Sequence, residues 1–456
     1  MSSTSFSWNY FKGELSYGSW NFATRMVAAL NTFLVLLSLT LYEYGSFQLL
    51  LASYAGVTVL LSVGGGAVRN DILRFEAEGK SPEAKKLFYE LLSVRIATGV
   101  VLWAVVFWGA PLLSFKYGQD YILLIRILSF LLLHDALIAG ITTIIEMRKK
   151  FNTIASRMFI AKAVQFSILS YFFFFHNVDL RAVMVSLVVS MFATLLFLLP
   201  SFFELSAPWR RIRGSPDNFL LKILTSYGKW EVLQPIAGKF TSLFEVWAIK
   251  FFVSTEAVAV FSIAQTLVNT VARFFPVNTL ATLVPLEIGN EEKLKKIYTY
   301  GTKYLTFFSV FMGVTAFAVV PVIIDMFFNK YMISLPYFSA LLLTLPILSV
   351  TAVSSVFLMA LRRQKFLFFQ KILKSFVAVP LYLLLLPAFG LWGLVFHNFI
   401  LMGVMTISLY LYLKRTKPKL FVKWHDLVRF GKEDKVFLSN VLSEAKARVS
   451  SRFLHS

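Results

Sequence analysis

Apolar residues fill the chain in twelve long runs, near positions 18–42, 45–68, 87–110, 121–146, 152–175, 180–203, 222–250, 257–284, 304–327, 335–360, 366–387 and 390–412. A helix of about 20 such residues crosses the ~30 Å hydrocarbon core of a bilayer. The pattern therefore predicts an all-α polytopic membrane protein with twelve transmembrane helices. The loops between the runs alternate in charge. Lys12, the group from Arg69 to Lys86, Arg148–Lys150, Arg210–Lys222, Lys293–Lys303 and Arg362–Lys365 fall on one side; Lys116, Arg181, Lys250 and Lys330 fall on the other. The positive-inside bias puts the first set, and with it both termini, in the cytoplasm of a cell whose cytoplasmic membrane holds the chain.

A polar stretch, Leu205–Asn218, contains Pro208 and Pro216 and interrupts the apolar pattern midway. It predicts an N-terminal six-helix lobe (1–204), a cytoplasmic inter-lobe linker (205–218), a C-terminal six-helix lobe (219–412) and a basic cytoplasmic tail (413–456). Two pairs of phrases suggest that the lobes are repeats. Ser16-Tyr17-Gly18-Ser19-Trp20 matches Ser226-Tyr227-Gly228-Lys229-Trp230 at the start of each lobe. Met147-Arg148-Lys149-Lys150-Phe151 matches Leu361-Arg362-Arg363-Gln364-Lys365-Phe366 at a later turn. An even number of spans per lobe gives both the same orientation, so the repeat is a parallel one.

Composition narrows the chemistry. The chain is 57% hydrophobic and only 15% charged, whereas a soluble domain carries about 25% charged residues. The net charge of +21 lies mostly in loops on one side, so it reports topology and not nucleic-acid binding. With no cysteine there is no disulfide, thiol nucleophile or Cys-bound metal. Gly-rich phosphate loops, His-Glu-x-x-His and Gly-x-Ser-x-Gly are missing and the five histidines are scattered, so neither a cofactor nor a metal is expected.

Ionisable groups inside the spans are the informative residues, because each costs roughly 2.5–3.5 kcal/mol at mid-bilayer unless it meets water or a partner. Arg25, Lys162, Arg273 and Lys374, in spans one, five, eight and eleven, fall in the inner half by the ~1.5 Å rise per residue. Two readings stand for each: a cavity cation that holds an anion, or a long basic stem that lifts its head to the interface. Polar residues at helical spacing extend the first reading: Asn21, Thr24 and Asn31 on span one, Gln234 and Thr241 on span seven, and Ser262, Thr266 and Asn269 leading to Arg273 on span eight. Asp135, Glu231 and Glu245 are candidates for proton or sodium coupling, or counter-ions of Lys162, Lys239 or Arg25. Gly64-Gly65-Gly66 reads as a hinge or a close helix contact, and the basic tail as a segment lying on anionic lipid.

Three stretches carry a family likeness: Tyr44–Phe47 through Gly64–Arg69, Val284-Pro285-Leu286-Glu287 with the charged 290–303, and the turn at 362–366. With these the chain resembles the polysaccharide-transporter branch of the MOP exporter superfamily, the O-antigen or oligosaccharide-lipid flippases. The resemblance implies two six-helix lobes forming a V around a central cavity and alternating access for a polyprenyl-diphosphate-linked oligosaccharide. It implies that Arg25 and Arg273 meet the diphosphate, and that a glycan polymerase or glycosyltransferases are partners. Peptidoglycan-precursor flippases carry two further spans that twelve runs do not provide. Two alternatives remain: a cation-coupled multidrug exporter of the same superfamily, and a membrane-embedded glycan polymerase or glycosyltransferase, for which the short outer loops leave little room.

Overall fold

The computed structural model describes residues 3–418 except 63–64, 118, 149, 216–217, 224–228, 278–279, 281–283, 285–290 and 362. Among the described residues there are helices and no strands. In chain order they are α1 Ser3–Ser38, α2 Leu41–Thr58, α3 Gly65–Ala77, α4 Ser81–Tyr117, α5 Gln119–Met147, α6 Phe151–Phe175, α7 Leu180–Arg210, α8 Phe219–Ile223, α9 Lys229–Phe252 and α10 Thr255–Ala272. There follow α11 Glu291–Phe328, α12 Leu335–Leu342, α13 Leu345–Ala360, α14 Gln364–Phe389 and α15 Leu391–Thr416. Ten described segments are long and apolar enough to span a membrane. Nine of them each match one run read from the sequence, and the segment Glu291–Leu342 holds the ninth run and continues into the tenth. The seventh run is α9, and the tenth is split between α12 and α13, with a Pro at the start of α13. Proline cannot donate to the preceding turn, and that position tolerates it. Gly65 and Gly66 open α3, while Gly64 lies outside the described residues.

Side-chain caps fix where two spans begin. Thr40 and Glu43 form a reciprocal box: the Glu43 N–H donates to Thr40 Oγ1 at 3.2 Å, and the Thr40 N–H donates to Glu43 Oε2 at 2.9 Å. Asp179 accepts from the Ala182 N–H at 2.8 Å and starts α7.

The chain divides into two compact units, Met1–Leu267 with Ala318–Ala340 and Phe368–Asn398, and Val268–Phe317 with Leu341–Leu367 and Phe399–Ser456. The first has a core of Val35, Leu39, Tyr44, Leu128, Leu131, Val183 and Ile263 around the fully buried Tyr331, whose hydroxyl donates to the Leu39 carbonyl at 3.1 Å. At Gly45, α2 runs so close to the start of α10 that a Cβ would collide with the Thr255 carbonyl. Only glycine permits that approach.

A second cluster of this unit brings α3, the first turns of α4, the end of α5 and the end of α7 together around Val68, Ile72, Leu87, Phe88, Ile144 and Trp209. Helix α7 does not stop at the polar break. It continues to Arg210 because Trp209 is 1% exposed and its indole donates to Glu76 Oε2 at 3.3 Å, beside the 3.1 Å ion pair of Arg148 with Glu76. The segment after α7 is fastened to α4 in three places. Lys85 donates to the Ile212 carbonyl at 2.7 Å, the Ser215 N–H to the Pro82 carbonyl at 3.4 Å, and the Leu220 N–H to Glu90 Oε2 at 3.0 Å. Leu220 and Ile223 of the short α8 are buried in the same cluster. Nearby Asp71 is only 5% exposed. Burial pushes its carboxyl above the ordinary 3.8, against the opposing pull of Arg74 at 3.0 Å.

The second unit is held by hydroxyls that bridge helices. Tyr298 meets Ser354 at 3.0 Å, Thr306 meets Ser349 at 2.9 Å and Thr351 meets Thr406 at 2.6 Å, linking α11, α13 and α15. In an apolar surrounding such pairs satisfy groups that would otherwise be left without water.

Candidate functional site

Helices α9, α10, α14 and α15 of the first unit build a polar cluster inside apolar segments. Glu245 of α9 accepts from the Tyr382 hydroxyl at 2.9 Å and from the Gln265 amide at 3.4 Å. The Tyr382 ring lies on His397, with centroids 3.9 Å apart and planes 24° apart. His397 is 1% exposed, and neither ring nitrogen has a hydrogen-bond partner among the described residues. One turn before Glu245, Thr241 meets Ser375 of α14 at 2.7 Å. The exposed Lys374 beside it acts electrostatically on both Glu245 and His397. A carboxylate, a phenol, an imidazole and an ammonium are thus gathered where isolated charge is costly. Such a group can take up or release a proton or hold a small cation.

A second cluster joins α2, α5 and α7. Tyr54 donates to Asp135 Oδ2, His134 Nδ1 meets Asp135 Oδ1 at 2.9 Å, and His134 Nε2 meets Thr194 at 3.3 Å. Asp135 is half-buried while His134 is buried, so the imidazole ties the carboxyl to α7 and the tyrosine ties it to α2.

Half-buried Lys162 donates to Gln165 at 3.0 Å on its own helix, and its carbonyl accepts from Asn31 of α1 at 2.9 Å. Asn31 is 4% exposed, so it fastens α1 to α6, as small polar groups do between membrane helices. Arg25 and Lys374 are exposed on α1 and α14, and neither is within ion-pair distance of a carboxylate among the described residues. Arg273 is exposed just past the end of α10 in the second unit, its N–H donating to the Asn269 carbonyl at 3.1 Å. Thr24 bonds to its own helix through the Trp20 carbonyl at 2.7 Å, and Asn21 and Ser262 are half-buried. Thr266 and Asn269 are exposed. The side chains of Glu231 and Gln234 lie outside the described residues. Among the described residues no group of acidic, histidine or cysteine side chains could hold a metal ion.

Sequence reasoning missed Tyr54, Thr194, Gln265, Tyr382 and His397. A signal for one was present: Lys371, Lys374, Ser375 and Tyr382 recur at i, i+3, i+4 and i+11, one face of α14.

No protein-family description matches the sequence, and no curated protein is similar to it. Solved structures do share its fold. An inward-facing multidrug-resistance MATE transporter of the MOP superfamily superimposes with a TM-score of 0.73 at 15% identity, over 86% of this chain and 94% of that one. An outward-facing transporter of the same description gives 0.64 at 15% identity, over 90% and 96%. The lipid II flippase MurJ, in an inward closed conformation, gives 0.65 at 15% identity, over 90% of this chain and 89% of that one. The chain is a multi-pass membrane protein with the fold of MOP-superfamily transporters.

Proposed function

We propose that the chain is a flippase that moves a polyprenyl-diphosphate-linked oligosaccharide across the cytoplasmic membrane by alternating access, for cell-surface polysaccharide synthesis. The observation that carries the reading is the placement of Arg25 and Lys374 on apolar helices, exposed and beyond ion-pair distance of any carboxylate among the described residues. An exposed cation in an apolar span suits a diphosphate brought in on a lipid. The fold shared with a lipid II flippase supports a lipid-linked cargo. In this reading Arg25, Lys162, Arg273 and Lys374 hold the charge of the diphosphate. Both termini are cytoplasmic, the basic tail rests on anionic lipid, and glycan polymerases or glycosyltransferases supply or use the cargo.

A second reading, a cation-coupled multidrug exporter, draws on the fold shared with MATE transporters and on the clusters at Glu245 and Asp135. In either reading those carboxylates, with Glu231, are the coupling candidates. The test replaces Arg25 and Arg273 singly with Ala and measures glycan delivery in a flippase-deficient cell. Loss of delivery at normal expression is the expected result. Full delivery by both variants removes the diphosphate assignment, and drug efflux without any glycan dependence turns the reading to the exporter.

A further inference from the structure

A cavity of about 380 Å³ lies within the first unit, walled by α2, α4, α5 and α9. That volume is in the range of small-molecule pockets. None of Arg25, Lys162, Arg273 and Lys374 lines it. Along α5 it reaches from Tyr121 to Leu132, about 16 Å at the helical rise. Its far end is mostly hydrocarbon, from Val57, Val106, Leu128 and Leu132, with the ring of Tyr54 beside them. Its near end is not. There the Lys250 ammonium stands 5.8 Å from the Trp247 ring centroid and 6.0 Å from that of Tyr121, and the Trp247 indole donates to Ser53 at 3.1 Å. Aromatic faces hold an ammonium by its positive charge, so the cation is positioned at the wall and not left to roam. Along α4 the lining residues Val105 and Leu112 are 63% and 77% exposed, which leaves the cavity open at its side. At Gly109 a Cβ would meet nothing within 4 Å, so the wall of α4 is hollow there.

A slender apolar slot, open at the side and ending at one fixed positive charge, matches one class of ligand. We propose that this cavity binds a single-chain anionic amphiphile, with its hydrocarbon chain along α5 and its anionic head on Lys250. Charge complementarity selects the head, because Lys250 is the one charged side chain among the described residues that line the cavity. The narrow volume selects one chain over two. The proposal is independent of which cargo the protein moves.

The test is native mass spectrometry of the purified full chain titrated with oleate, with oleyl alcohol as the uncharged probe of equal length. The wild type should retain one oleate per chain and bind oleyl alcohol about tenfold more weakly, the worth of one charge-assisted contact. Lys250→Gln should weaken oleate about tenfold and leave oleyl alcohol unchanged. Gly109→Phe should fill the hollow and lose both probes while keeping the ligand-free melting temperature. Val105→Trp, at the exposed mouth, is a second plug in case the first disturbs folding. Oleate binding that survives both plugs in folded protein would overturn the site. Equal binding of oleate and oleyl alcohol would overturn the anionic head.

Discussion

Replacing Gly45 with Ala tests the close approach of α2 to the start of α10. The added Cβ would occupy the position of the Thr255 carbonyl oxygen, and the carbonyl carbon and a Thr255 methyl crowd the same spot. Two of those atoms are backbone, so no rotamer change relieves the clash and α2 must move as a body. Overpacking of this kind costs about 1–3 kcal/mol. Against it stands the gain from removing a helical glycine, about 0.5–1 kcal/mol. The net expectation is a loss of about 1–2 kcal/mol, toward the upper end because neither partner can yield. Gly403 on α15 is the control: a Cβ there meets nothing within 4 Å, so Gly403→Ala should gain about 0.5–1 kcal/mol. Reversible denaturation of both variants in one detergent measures the difference, expected to be about 2.5–3 kcal/mol. If Gly45→Ala proves as stable as Gly403→Ala, the close approach is not a feature of the folded protein.

Two further outcomes follow from the cluster around Trp209. Trp209→Ala should cost about 3–5 kcal/mol by opening a cavity among α3, α4 and α7 and leaving Glu76 without its indole donor, measured by the same denaturation. Asp71 gives a pH signature. Its carboxyl is raised in the folded chain, so the unfolded state releases the proton first, and stability falls as pH climbs from about 4 through the raised value. Asp71→Asn should flatten that fall, and a denaturation series whose slope is the same in both proteins would refute it.

Hydropathy made the helices legible, because a bilayer demands apolar length and the demand is met run by run. The break between α12 and α13 was hidden inside a single run: Thr344 and Pro346 are apolar enough, or small enough, not to interrupt it. Glu245 and Asp135 stood out since a carboxylate in such a run is expensive. Their partners did not. Tyr382, Tyr54 and His397 are ordinary residues of membrane helices, and only tertiary packing shows that a tyrosine hydroxyl from a distant span lands on each carboxylate and that the His397 ring stacks on Tyr382. Asn31 shows the opposite case. Its place on a polar stripe was readable, but whether such a stripe meets open space or a neighbouring helix is decided by packing, and here the amide is spent on the Lys162 carbonyl. The reach of α7 to Arg210 likewise depends on Trp209 finding a pocket, which the polar composition around it concealed.

The anchoring of the segment after α7 changes what that stretch can do as a tether. Fully extended, 205–218 would reach about 50 Å, enough contour length to let whatever follows wander. Helix α7 consumes the first part of it, bonds at Ile212 and Ser215 fasten those residues to α4, and Leu220 just beyond it is fastened to the same helix. Little slack remains. Residues inserted between two of those fastenings would bulge outward as a loop and would not lengthen the cord, so the reach of the chain beyond α8 is set by where Glu90 holds Leu220 and not by how many residues separate the apolar runs.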